Sequence, residues 1–158
     1  MTRLCSLIPL GALLGACVGG ENSANPSFIG NWTCTRSGSA MVSEDGQTQT
    51  MQLATETDSV IVTSPAPGQL LIDDKTAGGD CPIQASYNGG SASITGGTCI
   101  ISMTDDGGTM SVLTLTFNGG SFNLSPDGKT MSGNSLNAVT TSNGATGTAA
   151  ETFTCMSQ

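Results

Sequence analysis

Turn-forming steps cut this sequence into short runs, and that punctuation restricts the chain to a β fold. Pro65-Ala66-Pro67-Gly68, Gly89-Gly90, Asp105-Asp106-Gly107-Gly108, Asn118-Gly119-Gly120, Ser125-Pro126-Asp127-Gly128 and Asn143-Gly144 separate stretches in which apolar and polar residues alternate. Pro and Gly interrupt helices, and a two-residue alternation is the period of a half-buried strand. The runs are filled with Thr, whose branched side chain suits a pleated sheet. Among 158 residues there are 22 Thr, 19 Ser and 22 Gly, and no window supports a long helix.

The alternating runs are Asn31 to Ser37, Thr48 to Thr55, Ser59 to Thr63, Gln69 to Asp73, a hairpin between Cys81 and Cys99, Thr109 to Phe117, Phe122 with Leu124, Lys129 to Thr141, and Thr148 to Met156. About nine or ten short strands joined by hairpin turns predict an all-β fold. The expected form is an antiparallel up-and-down meander closed into a β-barrel, with a β-sandwich as the alternative.

The first residues read as an address rather than as structure. Arg3 is a positive head, and Leu4 to Leu14 is an apolar stretch too short to span a bilayer as a helix, which takes ~20 residues. Leu14-Gly15-Ala16-Cys17 resembles the lipobox of bacterial lipoproteins. The resemblance implies cleavage after Ala16, lipidation of Cys17 and attachment to the membrane through the N-terminal lipid. Val18 in the next position resembles the outer-membrane default of lipoprotein sorting. Val18 to Ser27 is small, polar and without apolar periodicity, as expected of a flexible tether. The expected organisation is therefore a lipoprotein signal peptide at 1–16, a lipidated Cys and tether at 17–27, and a single all-β domain at 28–158.

Four cysteines remain after Cys5 leaves with the signal and Cys17 takes the lipid. An even number in an exported chain predicts two disulfides. Three pairings are possible, and Cys81–Cys99 with Cys34–Cys155 is favoured. A two-residue turn at Gly89-Gly90 sets Ala85 opposite Ile94 and Tyr87 opposite Ala92. That register leaves Cys81 one residue short of Cys99, and a bulge at Gly96-Gly97 supplies the missing residue. A zinc site is disfavoured, because no Cys-x-x-Cys spacing exists.

Composition excludes several activities. There is no His for a triad, a general base or a metal site, and the formal net charge of −8 opposes binding to nucleic acid. Asp73-Asp74 and Asp105-Asp106 are adjacent pairs, which point to opposite faces of a strand and make no acid–base couple alone. Asp105-Asp106-Gly107-Gly108 lacks the ligand spacing of a calcium loop. No cofactor and no metal are implied, and the chain is not expected to be an enzyme.

Gly30-Asn31-Trp32 opens the first run and resembles the start of lipocalin and avidin-like barrels. The resemblance implies that Trp32 plugs the closed end of the barrel and that Gly30 permits close packing beside it. Trp32-Thr33-Cys34 and Cys155 also resemble the lipid-anchored lysozyme inhibitors, which would imply inhibition of a basic enzyme that attacks the envelope. Ser132-Gly133-Asn134-Ser135-Leu136 lacks the Tyr of their inhibitory motif.

The expected function is that of a lipid-anchored cell-envelope lipoprotein with a structural or interaction role toward an unknown envelope protein. The alternative is a lipocalin-like carrier of a small apolar ligand, lined by Tyr87, Ile94, Leu113, Leu115 and Phe117. Small side chains and short strands predict a narrow barrel and favour the first. An interior cavity of ~300 Å³ or more would favour the carrier.

Overall fold

The computed structural model describes residues 27–75, 81–104 and 110–158. The chain runs through eight strands: β1 (Gly30–Glu44), β2 (Gln47–Thr63), β3 (Gln69–Asp74), β4 (Cys81–Asn88), β5 (Ser91–Thr104), β6 (Met110–Leu124), β7 (Thr130–Thr141) and β8 (Thr146–Ser157). Each strand pairs antiparallel with the next, and β8 returns to β1, so the sheet closes into an up-and-down barrel of lipocalin-like topology. Closure removes the sandwich alternative.

Eight strands replace the expected nine or ten, for local reasons. The runs at Thr48 and Ser59 are one strand, because Glu56-Thr57-Asp58 continues the pairing of β2 with β1. Asn118-Gly119-Gly120 is not a turn. It lies within β6, where the register against β7 slips between Phe117 and Gly119, so the glycines relieve a bulge. A turn the alternation did not reveal sits at Asp45-Gly46, where φ is +49° and +78°. Two positive φ values are what a two-residue hairpin needs.

The β4–β5 hairpin has the expected register of Ala85 with Ile94 and Tyr87 with Ala92. Its bulge lies one residue earlier than expected: Ala85 pairs with Ile94 and Gln84 with Gly96, which leaves Thr95 as the extra residue. Gly97 follows at φ +147°, where an added Cβ would lie 2.6 Å from the Pro82 carbonyl oxygen. The two disulfides are Cys34–Cys155 and Cys81–Cys99. The first ties β1 to β8 across the closing seam, where the two cysteines are direct cross-strand partners.

The interior is apolar and the outer wall polar. Trp32, Val62, Leu70, Phe122 and Met131 are almost fully buried, whereas Ser132, Asn134, Thr140, Thr152 and Thr154 face outward and are exposed. A barrel that spans lipid has the reverse order, with an outward apolar belt. Among the described residues no helix is long and apolar enough to cross a membrane. Two disulfides are the mark of a chain that folds in an oxidising compartment.

One end of the barrel is plugged. Phe28 leads into β1 and is buried, with its ring edge-on to Phe122 at 5.4 Å and to Tyr87 at 6.0 Å. Trp32 lies behind it, and its indole Nε1 donates to the Phe28 carbonyl at 2.9 Å. A buried indole N–H needs such an acceptor. Gly30 departs from the packing role implied by the lipocalin resemblance. A Cβ there would meet nothing within 4 Å, but φ is +148°, so glycine is required for backbone conformation.

Candidate functional site

The inward alternation of four strands continues past the hydrophobic plug into charged residues. On β1, Trp32 and Cys34 point inward and Arg36 follows. On β2, Glu56 and Asp58 precede Val60 and Val62 at the same two-residue step. On β3, Asp74 follows Leu70 and Ile72, and on β8, Glu151 precedes Phe153 and Cys155. Strand geometry therefore delivers these side chains to one level of the barrel.

Arg36 is the hub of that level. Its Nε lies 2.9 Å from Asp58 Oδ2, its Nη2 3.0 Å from Glu56 Oε2 and its Nη1 3.3 Å from Asp74 Oδ2. Burial works against the guanidinium charge, but Asp74, Asp58, Glu151 and Glu56 outweigh it and raise the Arg36 pKa above its ordinary value. Arg36 is thus permanently charged. Adjacent Asp73 and Asp74 divide as strand geometry requires: Asp74 is buried toward Arg36, while Asp73 lies 2.6 Å from Lys75 Nζ.

β7 and β8 complete the level. Glu151 Oε2 accepts from Asn137 Nδ2 at 2.9 Å and from the Ser135 hydroxyl at 3.3 Å. Asn137 is fully buried, and its Oδ1 has no hydrogen-bond partner. The opposite amide orientation would turn a carbonyl oxygen onto the Glu151 carboxylate, so the unsatisfied atom is the acceptor.

The charged level divides the interior into two spaces. Toward the plug there is a void of about 70 Å³, bounded by Ile94, Phe117, Phe122, Met131 and Phe153 and by the Cys34–Cys155 bridge. Toward the opposite end there is a chamber of about 510 Å³. Its walls include Ala40, Val42, Leu53, Leu113, Val139 and Ala149, and Arg36, Glu56 and Glu151 stand at its floor. The expected narrow barrel is corrected here. Strand number fixes the width of a closed barrel, so small side chains leave space instead of drawing the walls together.

The five ligand-lining residues named from the sequence do not act as one set. Leu113 and Leu115 line the chamber. Ile94 and Phe117 bound the small void beneath Arg36. Tyr87 belongs to the plugged end, against Phe28. The bulge after Phe117 and the depth of Ile94 below the charged level cause this division. The Arg36 cluster itself was legible only as an interruption: the inward alternation of β1, β2, β3 and β8 meets a charged residue on each strand.

Among the described residues, strand pairing closes the lateral wall of the chamber over only part of its height. β3 pairs with β2 only from Val60 to Thr63, and the β4–β5 pairing covers Ile83–Asn88 against Ser91–Gly97. Residues 47–58 of β2 thus extend beyond the short β3–β4 pair, and so does the later part of β5. The Asp105-Asp106-Gly107-Gly108 turn, the lipobox with Cys17 and the tether up to residue 26 lie outside the described residues. Among the described residues no three acidic or Cys side chains are grouped so as to hold a metal ion. No protein family, curated protein or solved structure matches this chain.

Proposed function

We propose that this protein is a lipid-anchored envelope lipoprotein whose barrel carries a small, largely apolar ligand in the chamber above Arg36. The observation that carries the reading is the chamber itself, about 510 Å³ with walls of Ala, Val, Leu and Ile. This falls within the ~300–1,000 Å³ usual for small-molecule sites. The lipobox resemblance at Leu14-Gly15-Ala16-Cys17 and the polar tether after it support the anchor. The reading involves binding without catalysis.

The interaction-domain alternative has less support, because the exposed large apolar residues are scattered. Ile29, Ile61, Ile100, Leu136 and Met156 lie on different strands or at the barrel end and give no obvious contiguous patch. Lysozyme inhibition has less still. Ser132-Gly133-Asn134-Ser135-Leu136 lies inside β7, paired on both sides, and not in a loop.

Native mass spectrometry of the gently purified protein tests the carrier reading. A co-purifying small molecule, lost on unfolding and absent from a Leu115→Trp variant that fills the chamber, is the expected result. A bare mass, together with no uptake of 1-octanol by calorimetry, would overturn it.

A further inference from the structure

We infer that the barrel lies against the bilayer that holds the Cys17 lipid, through one outer flank where β8, β1 and β2 meet beside the plugged end. This rests on the lipid anchor proposed above and not on the ligand carried.

Exposed apolar side chains are the first ground. Ile29 is 52% exposed, Ile61 38% and Met156 65%. Pairing places all three around the start of β1: Ile61 sits opposite Asn31 on one side, Met156 opposite Thr33 on the other, and Ile29 precedes both. Each adjoins a buried residue in sequence, Phe28, Val62 or Cys155, and is itself turned outward. Asn31 and Thr33 keep the three apart, which gives a protein partner no packed apolar centre. A lipid interface is fluid and takes in separate apolar side chains at headgroup depth.

Charge gives the second ground. The chain carries a formal net charge of −8, which anionic headgroups repel. The outward positions among residues 31–35 of β1, 59–63 of β2 and 152–156 of β8 hold only hydroxyl, amide and apolar side chains. The charged residues of these strands are elsewhere: Arg36, Glu56, Asp58 and Glu151 belong to the interior cluster, and Glu44 is at the far end of β1. At the borders of the flank, Asp73 lies across from Ile61 and is engaged by Lys75, while Asp127 and Lys129 share the β6–β7 turn.

Chain length identifies the occupant. Ten residues, 18–27, separate Cys17 from Phe28, and a coil of that length has a root-mean-square reach of about 17 Å. The flank begins at Ile29, so the lipid surface within reach is the one that holds the anchor. A tether this short supplies an effective concentration on the order of millimolar, and docking too weak for a free protein then suffices.

Electron paramagnetic resonance of the lipidated protein in phosphatidylcholine vesicles tests the assignment. Nitroxides on Met156→Cys and Ile61→Cys should gain contact with oxygen and lose contact with a water-soluble nickel complex, relative to the same labels in the unanchored Cys17→Ser chain. A nitroxide on Met41→Cys, exposed between the chamber-lining Ala40 and Val42 of β1, should stay in water. Ile29→Ser should move the Ile61 label back toward water. Met156→Trp, read by quenching from brominated phosphatidylcholine, stands in if an added cysteine disturbs the disulfides. Flank labels that stay in water on protein that floats with the vesicles overturn the flank and leave the anchor standing, as does equal immersion of the Met41 label. Shielding of the flank from oxygen and nickel alike assigns it to a protein partner and overturns the lipid. A wild-type chain that does not float with vesicles overturns anchor and flank together.

Discussion

Arg36 is held by the groups it would otherwise leave stranded. The side chains of Asp58 and Asp74 are only 10% and 11% exposed, and the guanidinium is a charged partner of both. Arg36→Met should therefore destabilise the fold by about 3–5 kcal/mol, the range for breaking a buried ion pair from one side. Urea unfolding followed by Trp32 fluorescence measures it. Adding Asp58→Asn and Asp74→Asn to that variant should restore part of the loss, because the uncompensated charge goes with them. A second residue-scale test concerns Gly133, where a Cβ would run into the Ser121 carbonyl oxygen and Phe122 of β6. Gly133→Ala should lower stability by about 1–3 kcal/mol through overpacking, read in the same assay. Of the buried apolar residues near the plug, Trp32 was legible through the lipocalin resemblance, while Val60, Val62, Leu70 and Phe122 lay in runs whose alternation follows hydrophobicity. The same rule conceals Arg36, Glu56, Asp58, Asp74 and Glu151. A charged residue at an inward position looks like an outward one until its register is known, and register comes from pairing partners distant in sequence.

At the scale of strands and turns, the connection from β6 to β7 is locked by its own side chains. Asp127 Oδ1 accepts from the Ser125 hydroxyl at 2.6 Å and from the Lys129 amide at 3.1 Å, and Ser125 Oγ accepts from the Thr130 amide at 2.9 Å. These bonds, that to Ser125 first, hold the Asp127 carboxyl below its ordinary pKa. A lowered folded-state pKa contributes stability above the unfolded value, and that contribution is lost as pH falls through the folded value. Melting temperature should accordingly fall below about pH 4, with a shallower fall in Ser125→Ala. The uneven strand lengths make a separate prediction. β2 has β1 on one side along its whole length but pairs with β3 only at Val60–Thr63. Hydrogen exchange should be faster at the outward-bonding amides of residues 47–58 than at Val60 and Val62. Among the five connections within the described residues, turn chemistry marked four, Gly89-Gly90 and Ser125-Pro126-Asp127-Gly128 among them. It misled at Asn118-Gly119-Gly120, because a bulge and a turn call on the same glycines and only the pairing of β6 with β7 distinguishes them.

For the molecule as a whole, closure joins the first strand to the last, and Cys34–Cys155 clamps that seam across a sequence separation of 121 residues, against 18 for Cys81–Cys99. In the chain-entropy account the longer loop constrains the unfolded chain more, by about 1.7 kcal/mol. Removing the pair with Cys34→Ala and Cys155→Ala should thus lower stability more than removing Cys81 and Cys99, as denaturant midpoints of the two double variants would report. The chain enters the barrel at Ser27 and Phe28, beside the plug, while the chamber lies beyond Arg36 toward the other end. A lipid on Cys17 would then attach the chain at the sealed base of the barrel, the end away from the chamber. Under the carrier proposal, such a vessel would have its plugged base, and not its chamber, at the point of attachment to the leaflet.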